Sequence, residues 1–374
     1  MKTQKARTIL RTVLIAITAA MLLLATLFPL NTSAAAQQLP AMNTLDIDRL
    51  RAHAREGYIA DQLKLARALE LGVEVKRDPT EAAQWFLTAA NFGDPAAQTD
   101  LGYLYMRGEG VPRDETQALK WFQRAAADGY APAQYDLGYL LVNGLGAQQD
   151  APAGALWFER SAQQGFAPAQ VNLAVLYSEG AGKKRDDSEA MRWCREAVRQ
   201  HFAAAEFFLG LMYENGKGAA KDPSEAARWY RKAAEQGYAQ AQNNLGMLYE
   251  EGKGVPLDRE EAMTWYKRAA EQGNGNSYMN LARLCARAQD YSLAYFWTLL
   301  AQRSTWPISS PPSQRCLELL RSHLASNQIA SVEVQVEKWL SKHPSNPAIV
   351  VGSRLRLPNA LEGGAKSEAF SILH

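Results

Sequence analysis

Residues 101–126 read LGYLYMRGEGVPRDETQALKWFQRAA, and variants of this stretch recur along the chain every 36 residues. Tryptophan recurs with this spacing at Trp85, Trp121, Trp157, Trp193, Trp229 and Trp265, and Trp297 follows after a further 32 residues. A leucine column beginning at Leu65 and an aspartate column beginning at Asp78 keep the same period. A fixed period of about 30–45 residues is typical of stacked helical units. The sequence therefore predicts an all-α repeat fold.

The first half of the quoted unit predicts a helix, called helix A, over residues 95–107. Leu101 and Leu104 lie at helical spacing and belong to one apolar stripe. Gly108 follows the stripe and predicts its end, because glycine readily adopts the left-handed conformation that closes helices. Gly102 stands beside the stripe, where the missing side chain favours close approach of a neighbouring helix.

The second half of the unit predicts another helix, called helix B. Asp114 stands where this helix must start, and Gln117 falls three residues later, as a capping box requires. In the first repeat Pro79 takes the first helical position, where a missing N–H costs nothing. Trp121 and Phe122 then indicate the buried face, so the tryptophan column is expected to lie in the core.

The repeats are expected to run from residue 58 to residue 303, as six full copies and a shortened seventh. Residues 37–57 are expected to form a linker and an orphan helix B that caps the first repeat. Residues 304–343 predict a serine- and proline-rich connection followed by two capping helices. Residues 344–374, rich in proline, glycine and scattered polar residues, are expected to form a flexible tail.

The first 36 residues predict an export signal. A head with four basic and no acidic residues precedes an apolar run over residues 12–30, and residues 34–36 supply the small side chains of a cleavage site. The apolar run also approaches membrane-spanning length, so an uncleaved inner-membrane anchor is the alternative. The sequence thus predicts an exported protein, periplasmic or secreted. Removal of this segment leaves 37 basic and 39 acidic residues, without the clustered basic face that nucleic acids require.

Catalytic and metal-binding patterns are weak in this chain. Its three cysteines exclude a dense disulfide framework. Cys194 and Cys285 replace aromatic residues of sister repeats and are expected to be small buried hydrophobes, with Cys194 a free thiol; a bond between Cys285 and Cys316 is left open. The five histidines lack metal-ligand spacing, and capping explains the recurring acids better than acid–base catalysis does. The sequence predicts no enzyme, cofactor or metal site.

The columns of residues 101–126, and still more those of residues 245–270, resemble the Sel1-like repeat, a relative of the tetratricopeptide repeat. The resemblance covers residues 57–303. It implies a right-handed α-α superhelical solenoid with helical caps, used as an adaptor or assembly scaffold for other proteins. In bacteria, exported members of this kind are tied to envelope assembly, secretion, polysaccharide export or host contact.

Departures from the repeat pattern are informative. The first repeat lacks the second loop glycine, the fourth has Cys194 and His201 at unusual positions, and the seventh has lost four loop residues. These copies are expected to be locally looser. A cysteine-rich branch of the family has been associated with β-lactam binding, which makes a β-lactam-binding or hydrolysing enzyme a remote alternative. That branch has paired cysteines in its repeats, and this chain does not.

The columns that vary between repeats identify a candidate binding surface. They occupy the helix A positions equivalent to 99, 100, 103, 106 and 107, called here the helix-A face, which lines the concave surface in related solenoids. The candidates are Tyr103, Tyr135, Tyr139, Asn172, Val175, Phe207, Phe208, Leu211, Asn244 and Met247. A free face should be polar, so this aromatic and aliphatic content predicts a groove for a partner.

Two alternatives to this interpretation stay open. Tight coiling of the solenoid would bury some of these side chains between adjacent A helices. The partner is expected to be a protein segment, but a face lined by tyrosine and asparagine also permits a glycan, such as peptidoglycan.

Overall fold

The structure, a computed structural model, describes residues 44–304, 312 and 314–343. The predicted signal peptide over residues 1–36 and the predicted tail over residues 344–374 lie outside the described residues. Every regular element in the described part is an α-helix. The helices are α1 (Thr44–Arg55), α2 (Ile59–Leu71), α3 (Pro79–Asn91), α4 (Pro95–Arg107), α5 (Glu115–Ala127), α6 (Ala131–Asn143), α7 (Ala151–Gln163), α8 (Ala167–Glu179), α9 (Asp187–Val198), α10 (Ala203–Asn215), α11 (Pro223–Glu235), α12 (Ala239–Glu251), α13 (Arg259–Glu271), α14 (Gly275–Arg287), α15 (Tyr291–Arg303), α16 (Gln314–Ser322) and α17 (Ser326–Lys342).

The chain divides into two compact units after Arg185. The N-terminal unit contains α1–α8 and the C-terminal unit contains α9–α17. Within each unit, consecutive helices pack against one another as repeated pairs. The predicted all-α repeat solenoid is therefore confirmed.

Helix boundaries follow the local signals closely. Helix A of the second repeat, α4, spans Pro95–Arg107, which are the bounds expected from the sequence. The orphan helix expected before residue 57 is α1. The two capping helices expected within residues 304–343 are α16 and α17.

Aspartates start the B helices as the repeat pattern predicts. The Asp114 side chain accepts hydrogen bonds from the backbone N–H groups of Thr116 at 2.9 Å and Gln117 at 3.0 Å. Asp78, Asp186, Asp222 and Asp258 make the same pair of bonds. These bonds satisfy two of the N–H groups that a helix N-terminus otherwise leaves without partners.

The two loop glycines of the repeat have different roles. Gly108 ends α4 in the left-handed conformation, with φ of 69°. Gly110, with φ of 70°, lies so close to the start of the preceding helix B that an added Cβ would stand 1.9 Å from the Pro79 carbonyl oxygen. The second glycine thus connects each loop to the repeat before it. In the first repeat Glu74 takes this place with φ of 60°.

The deepest side chain of helix B is the aromatic residue after the tryptophan. Phe122 is 1 % exposed and Tyr230 is fully buried, whereas Trp229 is half-buried and donates its indole N–H to Glu225 Oε2 at 3.1 Å. An added Cβ on Gly102 would stand 2.8 Å from the Phe122 ring. The predicted close approach at Gly102 is therefore confirmed, while the core position belongs to the Phe122 column more than to the tryptophans.

The three cysteines are free thiols, and Cys194 and Cys285 are buried as expected. Burial raises the pKa of Cys285 to about 11, which makes this thiol a poor nucleophile. None of the helices in the described ranges combines the length and apolar character needed to cross a membrane. Within the same ranges, no cluster of side chains has the make-up of a metal site.

Candidate functional site on the helix-A face

The ten predicted residues of the helix-A face differ in accessibility. Half of them are buried: Tyr135, Asn172, Val175, Phe207 and Phe208. The other half are half-buried: Tyr103, Tyr139, Leu211, Asn244 and Met247. Only half of the candidates are therefore accessible on this face. The buried members serve packing, which is the alternative in which coiling of the solenoid buries side chains between adjacent A helices.

Adjacent A helices of the N-terminal unit are linked by a diagonal contact between residues 33 positions apart. Arg67 of α2 donates from Nε to Asp100 Oδ2 of α4 at 2.9 Å. One repeat later, the Tyr103 hydroxyl of α4 donates to Asp136 Oδ2 of α6 at 2.7 Å. The same geometry thus joins a carboxylate to a guanidinium in one step and to a phenol in the next.

The two carboxylates are held in an environment that disfavours their charge. Burial raises the pKa of Asp136 to about 7, against the opposing effect of the Tyr103 hydrogen bond. Burial also raises the pKa of Asp100 to about 6, and the positive charge of Arg67 partly offsets this rise. Desolvation penalises an ionised carboxylate unless a cation or several donors compensate.

Asn172 on α8 occupies the repeat position that Asp100 takes on α4 and Asp136 takes on α6. Its side chain is fully buried, and neither Nδ2 nor Oδ1 makes a hydrogen bond within the described part of the chain. Burial raises the pKa of the neighbouring Tyr135, and the interaction of Tyr135 with this amide partly offsets the rise. Tyr135 itself packs edge-on against Phe166, with ring centroids 5.5 Å apart.

The helix-A face of the C-terminal unit carries an asparagine network. Asn280 Nδ2 and the Ser277 hydroxyl both donate to Asn243 Oδ1 at 3.0 Å, and Asn243 Nδ2 donates to Asn244 Oδ1 at 3.3 Å. Arg283 extends the network by donating to Asn280 Oδ1 at 3.2 Å. Half-buried Leu211 and Met247 complete this surface with apolar area.

A buried ion pair closes the same surface at its C-terminal side. Glu250 is almost wholly buried and forms ion pairs with Arg283 and Arg287. It also accepts a hydrogen bond from the Tyr266 hydroxyl at 3.0 Å. These contacts compensate its charge, in contrast to Asp136 in the other unit.

Three polar residues that join successive A helices are absent from the ten candidates, although the sequence places Asp136 among the polar neighbours of the helix-A face. The ten candidates do not include Arg67, Asp136 or Asn243, which make the contacts between A helices described above. The signal that would have found the first two is a polar pair 33 residues apart, one position in each of two successive A helices.

An all-α protein of paired helices with these loop glycines and caps is a repeat scaffold, and its repeats are of a known kind. The family model of the Sel1 repeat matches residues 60–94, 95–130, 131–166, 167–202, 203–238 and 239–274. These six matches cover more than half of the chain, so the protein belongs to the Sel1 repeat family. The predicted seventh copy lies beyond them, where α14 and α15 form a further packed pair.

Two solved structures are similar to this chain. A Sel1 repeat protein from Oxalobacter formigenes is 33% identical, with 74% of this chain and 79% of that chain covered and a TM-score of 0.58. A protective antigen present in uropathogenic Escherichia coli strains, which displays an SLR fold, is 24% identical, with 86% and 84% covered and a TM-score of 0.54. The first supports the family and the second the fold. No curated protein matches the chain.

Proposed function

We propose that this protein is an exported adaptor that binds a segment of another protein through the accessible helix-A residues of its repeats. Repeats of this family generally mediate protein–protein interactions. The observation that carries the proposal is the half-buried set of Tyr103, Tyr139, Leu211 and Met247 on helices whose recurring residues are already used for stacking. Aromatic and aliphatic side chains on rigid helices are effective anchors for a peptide.

The polar neighbours of these anchors suit a peptide backbone. Each asparagine amide offers both donors and an acceptor, as a peptide bond does. Asn244 is half-buried at the accessible end of the network that runs through Asn243 and Asn280. An extended segment would therefore meet an apolar anchor, Met247, and an amide partner, Asn244, on the same helix, α12.

Export is supported by the first 36 residues of the sequence, with their basic head, apolar core and small residues before Gln37. An exported scaffold of this family fits a role in envelope assembly, secretion or host contact. A glycan ligand such as peptidoglycan is the competing proposal, since tyrosine and asparagine also serve sugar rings.

Photo-crosslinking in cells tests this proposal. A benzoylphenylalanine at Tyr139 or Leu211 is expected to capture a partner, whereas the same group at exposed Lys120 on α5 serves as the matched control. Adducts that a protease removes support a protein partner, and adducts that only a glycan hydrolase removes support the competing proposal. Equal capture from Lys120, or none from either helix-A position, overturns the binding surface.

A further inference from the structure

Comparison of successive repeats in the N-terminal unit reveals a charge without its counterpart. The carboxylate of Asp100 forms an ion pair with Arg67 at 2.9 Å. Asp136 occupies the equivalent position one repeat later, but the residue that faces it is Tyr103. Among the described residues no cation forms an ion pair with Asp136, which is only 8 % exposed.

A buried carboxylate that has only a phenol as donor is poorly compensated. A hydroxyl contributes one neutral hydrogen bond, whereas a guanidinium supplies both charge and several donors. The raised pKa of Asp136 agrees with this deficit. A cation brought to this position from outside would supply what Arg67 supplies to Asp100.

We propose that Asp136 anchors a lysine or arginine side chain of the bound protein segment, which supplies the positive charge that Arg67 supplies to Asp100. This inference rests on the proposed function and specifies its partner as a segment with basic residues. The charge of Asp136 selects the partner, and the apolar anchors of the same face add affinity.

The surroundings of Asp136 suit a cation. Tyr103 on α4 and Tyr135 on α6 lie near the carboxylate, and the face of a tyrosine ring attracts ammonium and guanidinium groups. Tyr103 packs edge-on against Phe122, with ring centroids 5.3 Å apart, so its position is supported from behind.

Binding of a labelled synthetic peptide, five repeats of Lys-Ala, tests the proposal by fluorescence anisotropy at low salt. The wild-type protein is expected to bind this peptide at least tenfold more tightly than five repeats of Glu-Ala. Asp136→Asn keeps the shape of the side chain and is expected to weaken binding of the Lys-Ala peptide at least tenfold. Asp128→Asn removes the same charge from an exposed position on the end of α5 and is expected to leave affinity within twofold.

A second variant supplies the missing cation from within the chain. Tyr103→Arg reproduces the Arg67–Asp100 arrangement one repeat later. This variant is expected to bind the Lys-Ala peptide at least tenfold more weakly and to keep a normal helical circular dichroism spectrum. If Tyr103→Arg does not fold, Asp136→Asn decides alone. Affinity within twofold of wild type for Asp136→Asn, or equal binding of the two peptides by wild type, overturns the inference. If the inference fails in this way while crosslinking from Tyr139 still captures a protein, the proposed function stands.

Discussion

The loop glycines of the second repeat provide a graded test of how the repeats are joined. Gly129, Gly108 and Gly110 all have positive φ, at 83°, 69° and 70°. They differ in the space around them. A Cβ on Gly129 would have no atom within 4 Å, one on Gly108 would stand 3.0 Å from Arg113 Cβ, and one on Gly110 would stand 1.9 Å from the Pro79 carbonyl oxygen.

The three alanine variants are therefore expected to lose stability in that order. Gly129→Ala bears only the cost of a left-handed alanine, about 1 kcal/mol. Gly108→Ala adds a tight contact that the Arg113 side chain relieves only by moving, and is expected to cost about 2 kcal/mol. Gly110→Ala adds a clash with helix backbone, which no side-chain rotation relieves, and is expected to cost about 3–5 kcal/mol.

Urea unfolding followed by circular dichroism measures the three losses, and amide hydrogen exchange locates them. In Gly110→Ala, protection is expected to fall at the start of α3, where the Ala82 N–H bonds the Asp78 carbonyl at 3.0 Å. Protection there should be unchanged in Gly129→Ala. A loss in Gly110→Ala within 1 kcal/mol of that in Gly129→Ala would refute the contact between loop and preceding repeat.

Four further outcomes are expected. Tyr230→Ala should cost about 3–5 kcal/mol in urea unfolding, and more than Trp229→Ala, because Tyr230 is fully buried and Trp229 is not. Since burial raises the pKa of Asp136 to about 7, the native state loses stability as pH rises from about 4 to 7, so Asp136→Asn should gain about 2–4 kcal/mol at pH 8 and much less at pH 5. His201→Gly should raise the melting temperature by a few degrees, about 1 kcal/mol, because His201 has φ of 55°. The intact mass of the protein from cells should correspond to a chain that starts near Gln37, and a product that retains the first residues in the membrane fraction would support the anchor instead.

The repeat period, the helix pairing and the caps could all be predicted because they depend on local rules. An aspartate before a helix, a glycine after it and an apolar stripe between them are written within about 20 residues. The bounds of α4 followed from these signals alone. The first and last repeats followed the same rules, so α1 and α15 fall where helix B was expected.

Contacts between successive repeats were harder to foresee. A recurring glutamine of helix A is buried and donates to the end of the preceding helix B, as Gln98 does to the Ala90 carbonyl at 3.2 Å. Polarity alone would assign this residue to the surface. Likewise, Val175 and Phe208 vary between repeats and yet are buried. Variation separates stacking positions from others, but it does not show which of the others are covered by a neighbouring helix.

The sequence also did not predict which aromatic side chain of helix B lies deepest in the core. Tryptophan is the largest side chain and defines the period, which favoured it for the core. Trp121 and Phe122 are both buried as predicted, and Phe122 lies deeper because the missing side chain of Gly102 leaves a space that fits a single ring. Trp121 is 7 % exposed, and the Arg124 guanidinium stacks over its ring at 4.6 Å.

The contact of the second loop glycine with the preceding helix also bears on how such a chain lengthens during evolution. Each joint between repeats uses the same two elements: the loop of one repeat and the start of helix B in the repeat before it. Duplication of a 36-residue segment that carries the second glycine therefore creates a new joint like the existing ones. The shortened loop before α15 carries no such glycine: Ala288 ends α14 and Gln289 has φ of 61°. The last helix pair, α14 and α15, therefore lacks the glycine contact that joins the earlier copies to the repeat before them.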